Sequence, residues 1–186
     1  MELASILSGI NWLDILYFTI LLGMIYKGSH AGVGSQLLSL AWWFVLIFFA
    51  LGYYSGLASA VFGFILQSWA RPISFFLITI IVFALIKFME MIFNISVTDA
   101  LPPLERIGGA LIAAVRTFLV FGIISVQLLL LPIPFLKKTV EKDSKTGPFF
   151  VDLDVKIFSF MTKNVQFIPN KDPEYILGEI LDSSGV

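Results

Sequence analysis

Four long apolar runs constrain this chain more than any other feature. They cover about residues 13–26, 36–54, 72–93 and 108–131. A helix crossing a bilayer needs ~20 mostly apolar residues. The last three runs meet that length, and the first meets it by recruiting its flanks. In lipid, unpaired backbone groups have no partner, so continuous runs of this kind must be helical. A transmembrane barrel would instead show many alternating segments of ~10 residues. The expected fold is therefore all-α, a polytopic membrane protein with four transmembrane helices over about 11–30, 36–54, 72–93 and 107–131, plus a C-terminal amphipathic helix.

Composition agrees. Of 186 residues, 58% are hydrophobic and 13% charged, where a soluble domain carries about a quarter charged residues. The net charge of -1 gives no case for nucleic acid. With no cysteine, disulfides, thiolate catalysis and cysteine-ligated metals are excluded. Because the first twelve residues lack Lys and Arg and no small-residue cleavage site follows residues 13–25, the first run is expected to remain as a span.

Turn chemistry separates the runs. "KGSHAGVGS", from Lys27 through Gly28 and Gly32 to Ser35, suits a tight helical hairpin. Pro72 reads as first-turn proline of the third span, and Pro132 and Pro134 end the fourth. Residues 55–70 read as a separate re-entrant or surface-lying helix, with an incomplete fifth span as the rival. Trp12, Tyr53, Tyr54 and Trp69 fall at run ends on one side and suggest an interfacial belt; Trp42 and Trp43 read as packing residues.

Composition shifts at the end of the last run, dividing a membrane domain over 1–135 from a polar tail over 136–186. From Lys137 onward the tail holds seven of the 12 basic residues and eight of the 13 acidic ones. Val151, Val155, Phe158, Met161 and Val165 recur at helical spacing, with Asp152 and Asp154 early and Lys163 late, as the helix dipole favours. An amphipathic helix over about 151–165 is expected, lying against the membrane or packed on the bundle end. Alternation at 151, 153, 155 and 157 also suits a strand. Asp172 and Pro173 open a further helix as N-cap and N1.

An always-charged arginine lies inside the fourth run. On a wheel of ~100° per residue, Gly109, Ala113 and Thr117 form a small-residue row and Arg116 falls about 20° from Gly109. Arg116 therefore points toward protein, where an intramembrane charge needs a partner. Antiparallel topology brings Glu90 to a similar depth, so an interhelical Glu90–Arg116 pair is expected. Glu105, the carbonyls of the 28–34 turn, snorkelling to the interface and a polar ion path are the alternatives. Lys27, Lys87, Glu105 and Arg106 fall on the same side of the bundle. Asp14 reads as a first-turn carboxylate suited to the dipole, with Asn11 as cap.

Nothing points to soluble-type catalysis. His30 is the only histidine, too far from Asp14 for a triad, and no zinc set exists. The glycines of the turn and of "RIGGAL" match no phosphate-binding loop. No cofactor is expected.

"NWLDILYFTILLGMIYKGSHAGVGSQLLSLAWW" (11–43) and "LERIGGALIAAVRTFLV" (104–120) together resemble the colicin V production protein (CvpA) family of bacterial membrane proteins. The matching positions are Asp14, Lys27 with Gly28, Ser39 with Leu40 and Trp43, and Glu105, Arg106, Gly109, Ala113, Ala114, Arg116 and Thr117. Departures are Lys for Arg in the turn, Glu for Asp at 105, and Ala113 and Thr117 for glycines. The resemblance implies a multi-pass protein of the bacterial inner membrane, tied to colicin V production or export and to envelope homeostasis, with no known chemistry. A scaffold or export accessory follows, with a membrane-protein partner or self-association in the bilayer; a small oligomeric channel is the alternative. In some relatives a similar domain anchors an extracytoplasmic protease, which implies outward-facing termini. The positive-inside count, with Lys27, Lys87 and Arg106 against Arg71 and the tail lysines, points the other way. The family's orientation is preferred because the tail lysines are interleaved with Glu141 and Asp143.

Overall fold

The computed structural model describes residues 11–61, 67–92, 102–163 and 173–182. Within them the elements are α1 (Trp12–Val61), α2 (Gln67–Ile92), α3 (Pro103–Leu130), α4 (Pro134–Lys138), a π-helical turn (Thr139–Asp143), α5 (Gly147–Lys163) and α6 (Pro173–Asp182), with no strand among the described residues. Three of these are long and apolar enough to cross a membrane: α1, α2 and α3.

α1 is 50 residues long and is interrupted at one point, Gly32, with φ 74° and ψ 165°. That backbone region is open essentially to glycine alone. The break divides α1 into a first arm (residues 12–31) and a second (residues 33–61). Met24 and Ser39 both reach the guanidinium of Arg116. In a straight helix at ~1.5 Å per residue they would stand more than ~20 Å apart, so the chain folds back on itself at Gly32.

The contacts order the bundle. The first arm runs antiparallel to α3, with Gly28 against Gly109 and Ala113 at one end and Tyr17 against Ser125 at the other. The second arm runs antiparallel to α2: Trp43 meets Phe83 with ring centroids 6.3 Å apart, and Tyr54 meets Phe75 edge-on at 5.8 Å. α2 sits mainly on the second arm, and Gln127 Nε2 of α3 donates to the Pro72 carbonyl across a 3.3 Å contact. The buried core gathers Leu13, Leu46, Leu51, Phe75, Phe121, Val126 and Phe158. The outer faces of the long helices carry exposed Phe18, Leu22, Phe76, Ile80, Ile81 and Leu111, the surface expected where lipid is the solvent.

Several elements differ from the sequence reading. Residues 55–61 continue α1 and 67–70 begin α2, so they form no separate helix; 62–66 lie outside the described residues. α2 begins at Gln67, which puts Pro72 inside the helix rather than in its first turn. There the ring removes one backbone donor. Tyr54 is buried against Phe75 instead of joining a belt, while Trp12, Tyr53 and Trp69 are exposed. α5 starts at Gly147, earlier than the apolar spacing suggests, because Phe150 already packs on Tyr17, Phe118 and Phe121. It rests on α3 and α1 through Phe150, Val151, Asp154, Val155 and Phe158. The tail is thus folded against the long helices.

Candidate functional site

Two helices approach closely where the fold-back meets α3. Gly28, Gly32, Gly109, Ala113 and Thr117 are all buried. A Cβ on Gly28 would overlap that of Ala113 and stand 2.8 Å from the Gly109 carbonyl oxygen. A Cβ on Gly109 would lie 2.5 Å from the Gly28 oxygen. Neither is a flexible side chain that swings aside, so two backbones are in contact and only small residues fit. Thr117 donates its hydroxyl back to the Ala113 carbonyl at 2.6 Å, which satisfies it within its own helix.

Arg116 stands beside this seam, half-buried. Its Nη1 donates to Ser39 Oγ at 2.7 Å and its Nη2 to Met24 Sδ at 3.8 Å. One guanidinium therefore grips both arms of α1 from α3, across the fold-back. Arginine suits this because its fork presents donors in several directions. The side chain of Glu90 lies outside the described residues. Lys27, Lys87, Glu105 and Arg106 are exposed, and the Lys87 ammonium sits 5.6 Å from the centre of the Phe83 ring. Ser39, a hydroxyl in an apolar run, was legible as an odd residue in sequence. Met24 carried no signal, since a thioether looks like any core side chain.

A second polar centre lies at the other end of the bundle. Asp14 accepts from Ser144 Oγ at 2.7 Å, from Thr146 Oγ1 at 2.5 Å, and from the backbone N–H groups of Lys145 and Thr146 at 3.4 Å each. Ser144 Oγ in turn accepts from the Gly147 N–H at 2.9 Å, which holds the start of α5. Asn11 uses both ends: its Oδ1 accepts from the Leu13 N–H at 3.4 Å and its Nδ2 donates to the Thr139 carbonyl at 3.3 Å. Asp14 is thus more than a dipole carboxylate, since it pins the tail to the first arm. One turn further in, Tyr17 and Ser125 share a hydrogen bond of 2.6 Å.

Asp154 is the residue the sequence misassigned. Read as an early carboxylate serving the helix dipole, it lies two turns into α5, on the buried face, with no exposed surface. Its carboxyl fills the space a Cβ on Gly122 would need. Its place between Val151, Val155 and Phe158 at helical spacing was the available signal. Among the described residues no group of three acidic or histidine side chains could hold a metal.

The family model described as colicin V production protein matches residues 13–155, more than half of the chain. The chain belongs to the colicin V production protein family. It is a multi-pass membrane protein of that family, with apolar helices long enough to span. No curated protein and no solved structure matches it. The family match runs continuously past the last long helix to Val155. It thus takes in Asp14, the fold-back, Arg116, the residues that bind Asp14 and the first half of α5 through Asp154.

Proposed function

We propose that this colicin V production family protein is a non-enzymatic scaffold or export accessory of the bacterial inner membrane, crossing it four times. The two arms of α1, α2 and α3 are the four spans, and both termini face outward. The observation that carries the scaffold reading is the seam at Gly28 and Gly109. The polar residues there are engaged within the bundle: Arg116 ties α3 to both arms of α1 through Ser39 and Met24, and Thr117 bonds its own helix. Backbone-to-backbone packing leaves no room for a substrate along that line. α5 completes the unit as an amphipathic helix whose outer face, with Lys156, Phe160 and Lys163 exposed, lies at the membrane surface. Its partner is another membrane protein or a second copy.

Pull-down of the tagged chain from native membranes in mild detergent tests the reading, since a scaffold retains a stoichiometric membrane partner. Liposomes holding the purified protein test the rival. Ion flux that Arg116→Leu abolishes, with the fold intact, would replace the scaffold by an oligomeric channel. Orientation is read from a C-terminal alkaline phosphatase fusion, where activity means outside.

A further inference from the structure

We propose that Asp154 is a proton-dependent latch: its neutral carboxyl docks α5 into the notch over Gly122, and its ionisation releases α5 from the bundle.

The geometry disfavours the ionised form far more than the neutral acid. Asp154 is 0% exposed. Neither carboxyl oxygen has a hydrogen-bond partner among the described residues. The carboxyl lies against the backbone of α3, where only a glycine leaves space for it. Its neighbours at helical spacing on α5 are Val151, Val155 and Phe158, all buried. An ionised carboxylate placed there would lose its hydration and gain nothing in exchange.

Among the described residues no facing charge offsets this. On the first arm the titratable groups nearest the tail are Asp14, engaged by residues 144–146, and Tyr17, bonded to Ser125. The second arm contributes Tyr54, packed on Phe75. On α3 the nearest charge is Arg116, more than a turn away from Gly122 and aimed at Ser39 and Met24. The π-helical turn carries Glu141, Lys142 and Asp143, with Glu141 paired to Lys137 at 3.6 Å; α6 carries an exposed Glu174, and the side chains of its Tyr175, Glu179 and Asp182 lie outside the described residues. On α5 itself Asp152 and Lys156 pair on the outer face at 2.6 Å. Burial alone pushes the Asp154 carboxyl well above the usual carboxylate range.

The linkage has a definite sign. The docked state holds its proton more tightly than the undocked one, which titrates near 3.8. Docking is therefore strongest below that pH. It weakens up to about tenfold per pH unit above it, until the docked group itself ionises. The rest of the α5 face, Phe150, Val151, Val155 and Phe158, sets how far the pH must rise before release. Gly122 is as necessary as the acid, because a methyl group there would occupy the carboxyl's place.

The test uses the full chain in lipid nanodiscs. Spin labels go on exposed Phe160→Cys of α5 and Val115→Cys of α3, with no native cysteine to interfere. The expected result is one narrow interlabel distance at low pH, and a second, broader population that grows as the pH is raised above the ordinary carboxylate range. Asp154→Asn should stay narrow throughout. Infrared difference spectra should show a protonated carboxylic acid band that Asp154→Asn removes. Gly122→Ala should undock α5 at every pH, and pairing it with Asp154→Ala should restore docking. A wild-type distance distribution insensitive to pH, an Asn variant that follows the same titration, or a Gly122→Ala variant that stays docked would each overturn the latch.

Discussion

Gly32 and Gly34 stand two residues apart, and substituting them with alanine should have opposite effects. At Gly32 the backbone lies at φ 74° and ψ 165°, where a Cβ is strained whatever space surrounds it. Such a conformation costs a non-glycine residue about 1–3 kcal/mol. The alternative open to the Gly32→Ala chain is to relax the fold-back, which would draw Gly28 away from Gly109 and Ser39 away from Arg116. Gly34 is helical and exposed, and a Cβ there meets nothing within 4 Å. Replacing glycine inside a helix gains about 0.5–1 kcal/mol. The two variants should therefore differ by about 1.5–4 kcal/mol, the sum of these opposed terms. Equilibrium unfolding in mixed micelles with increasing sodium dodecyl sulfate measures this, followed by the fluorescence of Trp42 and Trp43, which pack next to the second arm's core. Gly32→Ala should unfold earlier than the parent and Gly34→Ala no earlier. Equal midpoints for the two would refute the argument that one residue's backbone holds the two arms together.

Gly109→Ala should destabilise by about 1–3 kcal/mol through overpacking, because its Cβ meets the Gly28 carbonyl oxygen at 2.5 Å; an unchanged unfolding midpoint would mean the seam is looser than described. Asp14→Ala should leave the spans inserted but free the tail, since four contacts to residues 144–146 are lost. Hydrogen exchange should then rise at the 144–147 amides, and protection equal to the parent's would count against the pin. Tyr17→Phe should cost about 1 kcal/mol by removing the 2.6 Å bond to Ser125. A double-mutant cycle with Ser125→Ala should show coupling of that size, and zero coupling would mean the bond contributes nothing.

What was legible in sequence is what depends on local chemistry. Apolar runs of span length dictate helices because lipid offers backbone groups no other partner. The glycines of "KGSHAGVGS" announce a sharp reversal, and periodicity alone puts Gly109, Ala113, Arg116 and Thr117 on one side of α3. The family was recognisable from these same motifs, and the match over residues 13–155 shows it. What tertiary structure decided is which element each face meets. Periodicity orients a side chain on its own helix and says nothing of the neighbour's rotation or depth. Thus Arg116 reaches Ser39 and Met24, partners that become close only once the chain doubles back at Gly32. Tyr54 turns inward to Phe75 although it stands at the end of an apolar run. Asp14 finds its donors in residues 144–146, on the far side of three long helices in the chain. Asp154 looked like a carboxylate near a helix start until packing against Gly122 put it in the core. In each case the residue's own chemistry was readable, and its meaning depended on a contact set by the whole bundle.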